Sequence, residues 1–312
     1  MKKKKMKKLW VVFSVVVGLF LGMSTVVLAA EDDRTITNET KETFLTPSYL
    51  EQTGAANTSV TVRWGAVSGA EKYQVNLSSD GGKNYKILGS TEATHVKITN
   101  LQSDCEYRVK VFAYSMADVY GYSISARVWT APKKVSLSSY EFNGSGCTFY
   151  MKNPGANVDG YKVTYKNYKT GGSATRYVPG YKSFSLPFSA GQFYKVTIMP
   201  YVKVDNKMYC GSESVTTYVA SQPKLQKHSN TKSSMTVKWS KCYGATSYSV
   251  YLKKPGSSSF TKVATTTALI YTVKGMKIGS GYQIRVVANR QVNGKTYQSQ
   301  KNGYYTIRLY YV

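Results

Sequence analysis

Residues that carry acid–base or metal chemistry are scarce in this chain of 312 residues, which has only 2 histidines and 4 cysteines. His95 lies in an alternating run, HVKITNL, and His228 lies in a polar stretch. Neither has another histidine or a cysteine nearby at the spacing of metal ligands. We therefore expect both to be surface residues, and we predict no metal site and no cofactor.

Acidic residues are also few: the chain has 16 Asp and Glu against 42 Lys and Arg. Five of them lie within residues 31–45, and residues 223–312 contain none. A glycosidase needs two facing carboxylates, and the sequence contains no nucleophile elbow or phosphate-binding loop. We therefore predict that the protein is not an enzyme. An active site shared between two domains is the remaining enzymatic alternative.

Long apolar runs are absent except for one at the start of the chain. Six lysines in residues 1–8 precede the apolar segment 9–29, which a polar stretch follows. This order predicts a signal peptide over residues 1–30 and a disordered acidic leader over 31–45. We expect a secreted or cell-surface protein of bacterial, Gram-positive-like type. The alternative is an uncleaved anchor, because about 20 apolar residues can span a bilayer.

The rest of the chain contains a repeat. The segment SVTVRW ends at Trp64, and the similar SMTVKW ends at Trp239. A tyrosine follows each tryptophan after 9 residues and again after 43, and a weaker third copy with Tyr161 and Tyr194 lies between them. Tyrosines 107, 194 and 282 then step by 87 and 88 residues. This spacing predicts a threefold array.

Each repeat consists of short alternating runs separated by turn residues, which predicts strands and no helices. Units of this length and pattern are typical of β-sandwiches. Asp205–Asn206 and Asn293–Gly294 predict the turns of two hairpins. Proline-marked boundaries give repeats over 46–132, 133–222 and 223–312, joined by short linkers of limited freedom.

These repeats resemble the fibronectin type III family. The resemblance implies a tandem array of three immunoglobulin-like β-sandwiches, an all-β fold, after the signal peptide. It also implies structural roles for a set of apolar and aromatic residues, although the second repeat has Met151 in place of a tryptophan. The set is Trp64, Tyr73, Leu101, Tyr107, Tyr161, Phe188, Tyr194, Trp239, Tyr248, Met276 and Tyr282.

The four cysteines do not occupy equivalent positions in the repeats. An even number in an exported chain permits disulfides, and four cysteines allow three pairings. The family resemblance implies that Cys147 and Cys210 lie on opposite sheets, so that a bond between them is possible but not required. We predict no particular disulfide pairing and expect free thiols.

Positive charge rises along the array. Residues 46–133 have nine basic and seven acidic residues, residues 134–222 have ten and four, and residues 223–312 have fifteen and none. Such a field extends about 8 Å at physiological salt and attracts polyanions. We therefore predict that the third repeat binds an anionic wall polymer or an acidic glycan. We predict that the protein has no specific nucleic-acid partner. We expect contact with a membrane only if the signal peptide is uncleaved.

Loops at one end of a sandwich are common binding sites. The candidate contacts are Lys241, Tyr243, Arg290, Lys295 and Tyr297, with Tyr251, Lys253 and Lys254 ranked lower. The equivalent hairpin of the second repeat offers Lys203, Lys207 and Tyr209. The sequence thus predicts a non-enzymatic extracellular binding or adhesion module. The alternative is a structural spacer or accessory subunit that binds a protein partner.

Overall fold

The structure is a computed structural model that describes residues 46–116, 120–144, 146–212 and 214–308, except the side chains of residues 227 and 228. Every regular element in these ranges is a β-strand, which confirms the all-β prediction. None of the described residues forms a helix that could cross a membrane. The predicted signal peptide and acidic leader lie outside the described residues, so both stay predictions.

The first pair of sheets is built from seven strands. A three-stranded sheet has the order β1-β2-β5, and it faces a four-stranded sheet of order β4-β3-β6-β7. All pairings are antiparallel. The strands are β1 (Leu50–Ala56), β2 (Ser59–Trp64), β3 (Lys72–Ser78), β4 (Lys86–Thr91), β5 (His95–Ile98), β6 (Glu106–Tyr114) and β7 (Ile124–Trp129).

The second pair repeats this plan with one additional strand. Its smaller sheet has the order β12-β9-β8, and its larger sheet has β11-β10-β13-β14, with β15 also paired to β13. The strands are β8 (Ser136–Asn143), β9 (Gly146–Lys152), β10 (Gly160–Asn167), β11 (Ser173–Pro179), β12 (Ser183–Leu186), β13 (Phe193–Val204), β14 (Lys207–Cys210) and β15 (Val215–Ala220).

The third pair matches the second. Its smaller sheet is β16-β17-β20, and its larger sheet is β19-β18-β21-β22, with β23 also paired to β21. The strands are β16 (Leu225–Asn230), β17 (Ser234–Trp239), β18 (Ser247–Lys253), β19 (Thr261–Thr266), β20 (Ile270–Lys274), β21 (Gly281–Val292), β22 (Lys295–Gln298) and β23 (Tyr305–Arg308). The three pairs are called the first, second and third sandwich below.

Alternate side chains of the facing sheets fill a core in each sandwich, as expected for strands with one face buried. Trp64 and Trp239 lie in the first and third cores, where each contacts the tyrosine nine residues later. In the second core the aromatic contacts come instead from Phe149, which stacks on Phe184. Phe149 therefore supplies the aromatic ring that the second repeat lacks at the tryptophan position.

A corner tyrosine ties a loop to the core of each sandwich. The hydroxyl of Tyr107 accepts a hydrogen bond from the backbone N–H of Gln102 at 2.9 Å. Tyr194 and Tyr282 accept the equivalent bonds from residues 189 and 277, at 3.0 and 2.9 Å. An apolar residue six positions earlier is buried in every case: Leu101, Phe188 and Met276. These contacts hold the loop before β6, β13 or β21 in place.

The two predicted hairpins have the expected turns. Asp205 and Asn206 both have positive φ, as do Asn293 and Gly294. Two consecutive positive φ values are the requirement of the tight turn that matches strand twist. Both predictions are confirmed, and the hairpins β13-β14 and β21-β22 project from the larger sheets of the second and third sandwiches.

We predict that Tyr107→Phe will lower the free energy of unfolding of the first sandwich by about 1 kcal/mol, because Gln102 N–H loses its acceptor. Urea unfolding followed by tryptophan fluorescence will measure the change. Tyr122→Phe is the matched control, since the Tyr122 side chain is 84% exposed. Equal midpoints for the two variants would contradict a stabilising role for the corner bond.

Candidate functional site

The hairpin of the second sandwich packs on the first sandwich. Val202, Val204 and Tyr209 are buried against Ala55 and Trp129. We call this contact the first joint. It places the hairpin residues of the second repeat between two sandwiches instead of at a free loop end.

Polar contacts complete the first joint. The Tyr209 hydroxyl donates a hydrogen bond of 2.6 Å to the carbonyl of Gln52. Lys207 forms an ion pair of 2.8 Å with Glu51, which also pairs with Arg63. Hydrogen bonds from Lys207 and then Arg63 lower the pKa of the Glu51 carboxyl. Lys207 and Tyr209 are therefore engaged within the chain.

The hydrophobic core of the third sandwich extends onto three residues of the second. Phe193, Tyr218 and Ala220 of the second sandwich belong to the buried cluster around Trp239. Phe193 N–H donates to the Tyr243 carbonyl at 2.8 Å, and Tyr243 N–H donates to the Gly191 carbonyl at 2.9 Å. We call this contact the second joint. Backbone bonds and a common core fix its geometry.

Arg290 lies inside the second joint. Its guanidinium carbon is 3.6 Å from the ring centre of Tyr168 and 5.5 Å from that of Tyr218. Its Nη1 donates a hydrogen bond of 2.6 Å to the carbonyl of Gly244. The Tyr297 ring lies 4.7 Å from Tyr218, measured between ring centres. Arg290 and Tyr297 thus face the second sandwich, and both are half-buried.

Lysines surround the solvent side of the same joint. The Nζ of Lys241 lies 5.1 Å from the ring centre of Tyr243, and the Nζ of Lys169 lies 5.4 Å from it. Lys295 is placed in the same way, 5.1 Å from the ring centre of Tyr297. All three lysines are exposed.

All five candidate contacts, Lys241, Tyr243, Arg290, Lys295 and Tyr297, therefore meet at the second joint. The sequence analysis missed the contributions of Tyr168, Lys169 and Tyr218. These residues lie in a different repeat, and no spacing rule connects positions so far apart in the chain. The shortness of the linker between repeats two and three was the one feature of the sequence that indicated contact between their ends.

The lower-ranked residues lie elsewhere on the third sandwich. Tyr251 and Lys253 alternate with buried residues on β18 and therefore lie on the outer face of the larger sheet. Tyr251 pairs with Arg285, whose guanidinium carbon is 4.1 Å from the ring centre of Phe260. This group is a second basic and aromatic surface, distant in the sheet from the hairpin β21-β22.

Carboxylates are absent from the larger sheets of both later sandwiches. Strands β10, β11, β13, β14 and β15 contain no Asp or Glu, and neither do β18, β19, β21, β22 and β23. The positive charge of these faces is therefore not balanced within their own strands.

Metal and thiol chemistry find little support in the described residues. No three His, Cys, Asp or Glu side chains among them are grouped to hold a metal ion. All four cysteines are free thiols, and Cys147 and Cys210 lie on opposite sheets, in β9 and β14. Burial raises the pKa of Cys147 and of Cys242 to about 12. Those two thiols are therefore poor nucleophiles at neutral pH.

The sheets define the protein as an all-β array of tandem sandwiches, and the first of these sandwiches matches a known family. Residues 45–128 match the fibronectin type III domain. Domains of this family are typically binding or spacer modules rather than enzymes.

Solved structures of fibronectin type III domains align with the chain at low identity. The FN1–FN3 domains of chicken CNTN1 are 14% identical, with 85% of this chain and 99% of that chain covered and a TM-score of 0.25. A two-domain segment of chicken tenascin is 21% identical, with 56% and 99% covered and a TM-score of 0.30. Since both scores are below 0.5, the fold assignment rests on the sheets and on the family match.

We expect Arg290→Gln to loosen the second joint by about 1–2 kcal/mol, because a guanidinium stacked on aromatic rings away from water contributes on this scale. Hydrogen exchange of the amides of Phe193 and Tyr243 will measure the opening of the joint. Arg308→Gln, at an exposed position of β23, is the control with the same charge change. Unchanged exchange at both amides in Arg290→Gln would refute the role of this stack.

Stability should fall at alkaline pH because of the buried thiols. The pKa of Cys242 rises from its ordinary 9.0 to about 12 on folding, so above pH 9 the unfolded chain ionises more readily than the folded one. The stabilisation is thus complete below pH 9 and is lost as pH rises toward 12. Thermal unfolding across this range will measure it, with Cys242→Ser expected to flatten the profile. An unchanged slope in that variant would contradict the assignment.

Proposed function

We propose that this chain is a non-enzymatic extracellular binding module whose third sandwich captures an anionic wall polymer or an acidic glycan at a cell surface. The observation that carries the proposal is the charge of residues 223–312, which include fifteen basic residues and no acidic one. Solubility alone does not explain this excess, because a surface of mixed positive and negative charges would keep the protein in solution equally well.

The placement of these charges supports capture of a polymer. Lys238 and Lys274 are exposed on strands of the smaller sheet, whereas Lys254 and Lys262 are exposed near the outer edge of the larger one. Charges on several faces attract a long polyanion without a deep pocket, and the attraction weakens with salt. The first two sandwiches then act as a semi-rigid spacer.

A structural spacer or accessory subunit for a protein partner is the second candidate. The two joints favour it, because the hairpin residues that a free sandwich could offer to a ligand are used in contacts within the chain. This candidate predicts binding that does not respond to salt. Secretion through the signal peptide, with or without an uncleaved anchor at residues 9–29, is part of both proposals.

Retention of residues 31–312 on immobilised heparin, across a sodium chloride series, tests the proposal. We expect four changes to glutamine in the third sandwich, at Lys238, Lys254, Lys262 and Lys274, to lower the eluting salt concentration more than the matched control does. The matched control carries the same number of changes in exposed lysines that precede the third sandwich, at Lys83, Lys86, Lys97 and Lys133.

Substitution is preferred to deletion of the third sandwich, because deletion would expose the shared core residues Phe193 and Tyr218. Equal losses for the two variants would show that net charge alone matters and would overturn capture by the third sandwich. Retention that does not change with salt concentration, or no retention on heparin at all, would favour the spacer.

A further inference from the structure

We propose that the ligand is an acidic glycan chain and that it binds across the second joint, on a site to which both sandwiches contribute. Its charged groups are Lys169 of the second sandwich with Lys241 and Lys295 of the third. The inference rests on the proposed function and assigns it to a composite site, which the third sandwich alone cannot form.

The first argument is the placement of two like charges on one ring. Lys169 and Lys241 come from different sandwiches, yet their ammonium groups lie 5.4 and 5.1 Å from the centre of the Tyr243 ring. Their ammonium groups are therefore at most about 10.5 Å apart, close to the Debye length of about 10 Å at 0.1 M ionic strength. The ring stabilises each cation but does not neutralise its charge. An anionic group near the ring is attracted to both.

The second argument is the absence of competing carboxylates. Glu51, which forms salt bridges with Arg63 and Lys207, lies in the first joint and not in the second. The larger sheets that meet at the second joint contain no acidic residue in any of their strands. The joint lysines thus face a ligand without first breaking an ion pair on these sheets.

The third argument favours a glycan over an anionic polymer that lacks rings. Tyr243 is 38% exposed, and Tyr297 is half-buried beside Lys295. Tyrosine combines an apolar ring face with a polar hydroxyl, which suits a sugar ring whose carboxylate or sulfate groups reach the neighbouring lysines. A chain of sugars can place its rings on tyrosine and its charges on lysine in turn.

The fourth argument is that the joint fixes the site in advance. Gln192 and Tyr243 form a parallel bridge, and two backbone hydrogen bonds flank it. Gly244 has a φ of +83°, and a Cβ there would lie 2.6 Å from the Cβ of Tyr168. This close approach brings the turn after β10, which carries Lys169, to the loop that carries Lys241. Because the site is preorganised, binding of a ligand costs little conformational entropy in the protein.

The surface around Tyr251, Lys253 and Arg285 is the competing site. Its guanidinium is already engaged, since Arg285 stacks on Phe260 and donates to the Gly303 carbonyl at 3.2 Å. It also belongs to the third sandwich alone, so substitutions there distinguish the two sites.

The test compares pairs of substitutions in residues 31–312, with binding of a fluorescent heparin oligosaccharide measured at physiological salt. Lys169→Gln with Lys241→Gln removes two charges from the joint. Lys238→Gln with Lys274→Gln removes two from the smaller sheet, and Lys253→Gln with Lys262→Gln removes two from the competing surface. We expect a loss on the order of tenfold for the joint pair and less than about threefold for each other pair.

The single variant Lys169→Gln is decisive, because it leaves the third sandwich unaltered; we expect about a threefold loss. Hydrogen exchange at Phe193 and Tyr243 should stay as in the parent, which separates lost contact from an opened joint. Equal losses for the three pairs would overturn the composite site and leave the proposed function standing. If the parent protein shows no salt-dependent binding, both the proposed function and the composite site are overturned. If the parent binds single-stranded DNA of matched charge with equal affinity, the assignment of the ligand as a glycan is overturned.

Discussion

The core of the third sandwich, which extends onto the second, is the constraint on which the rest of the array depends. Phe193, Tyr218 and Ala220 are buried together with Trp239 and its neighbours, so the two sandwiches cannot separate without exposing apolar surface to water. This burial sets the position of the β21-β22 hairpin and keeps Arg290 between two tyrosine rings. The cations of both sandwiches then meet at one place.

The two joints use equivalent hairpins, β13-β14 and β21-β22, in chemically different ways. In the first, an ion pair from Lys207 to Glu51 and a small buried cluster connect two sandwiches that each have a separate core. In the second, Arg290 contacts two tyrosine rings and a backbone carbonyl in place of an ion pair. A carboxylate therefore offsets part of the positive charge at the first joint, whereas the cations at the second remain available to a ligand.

Much of the fold was predictable because local rules determine it. Strand alternation, the spacing from Trp64 to Tyr73 and Tyr107, and the Asn293–Gly294 turn are all short-range patterns in one repeat. The sequence also indicated the charge bias. It could not indicate that Lys169 reaches Tyr243, because this contact depends on how one sandwich packs on the next. That packing depends on the shape of buried surfaces, for which no periodic signal exists.

The glycine at position 244 has a consequence for how such arrays evolve. Because a side chain there would collide with Tyr168, the surface of the third sandwich is matched to the aromatic residues that the second presents. A gene segment for residues 223–312, moved behind an unrelated sandwich, would carry half of an interface. The unit that recombination can exchange intact is therefore the pair of sandwiches over residues 133–308, with the first joint as the point at which partners can be changed.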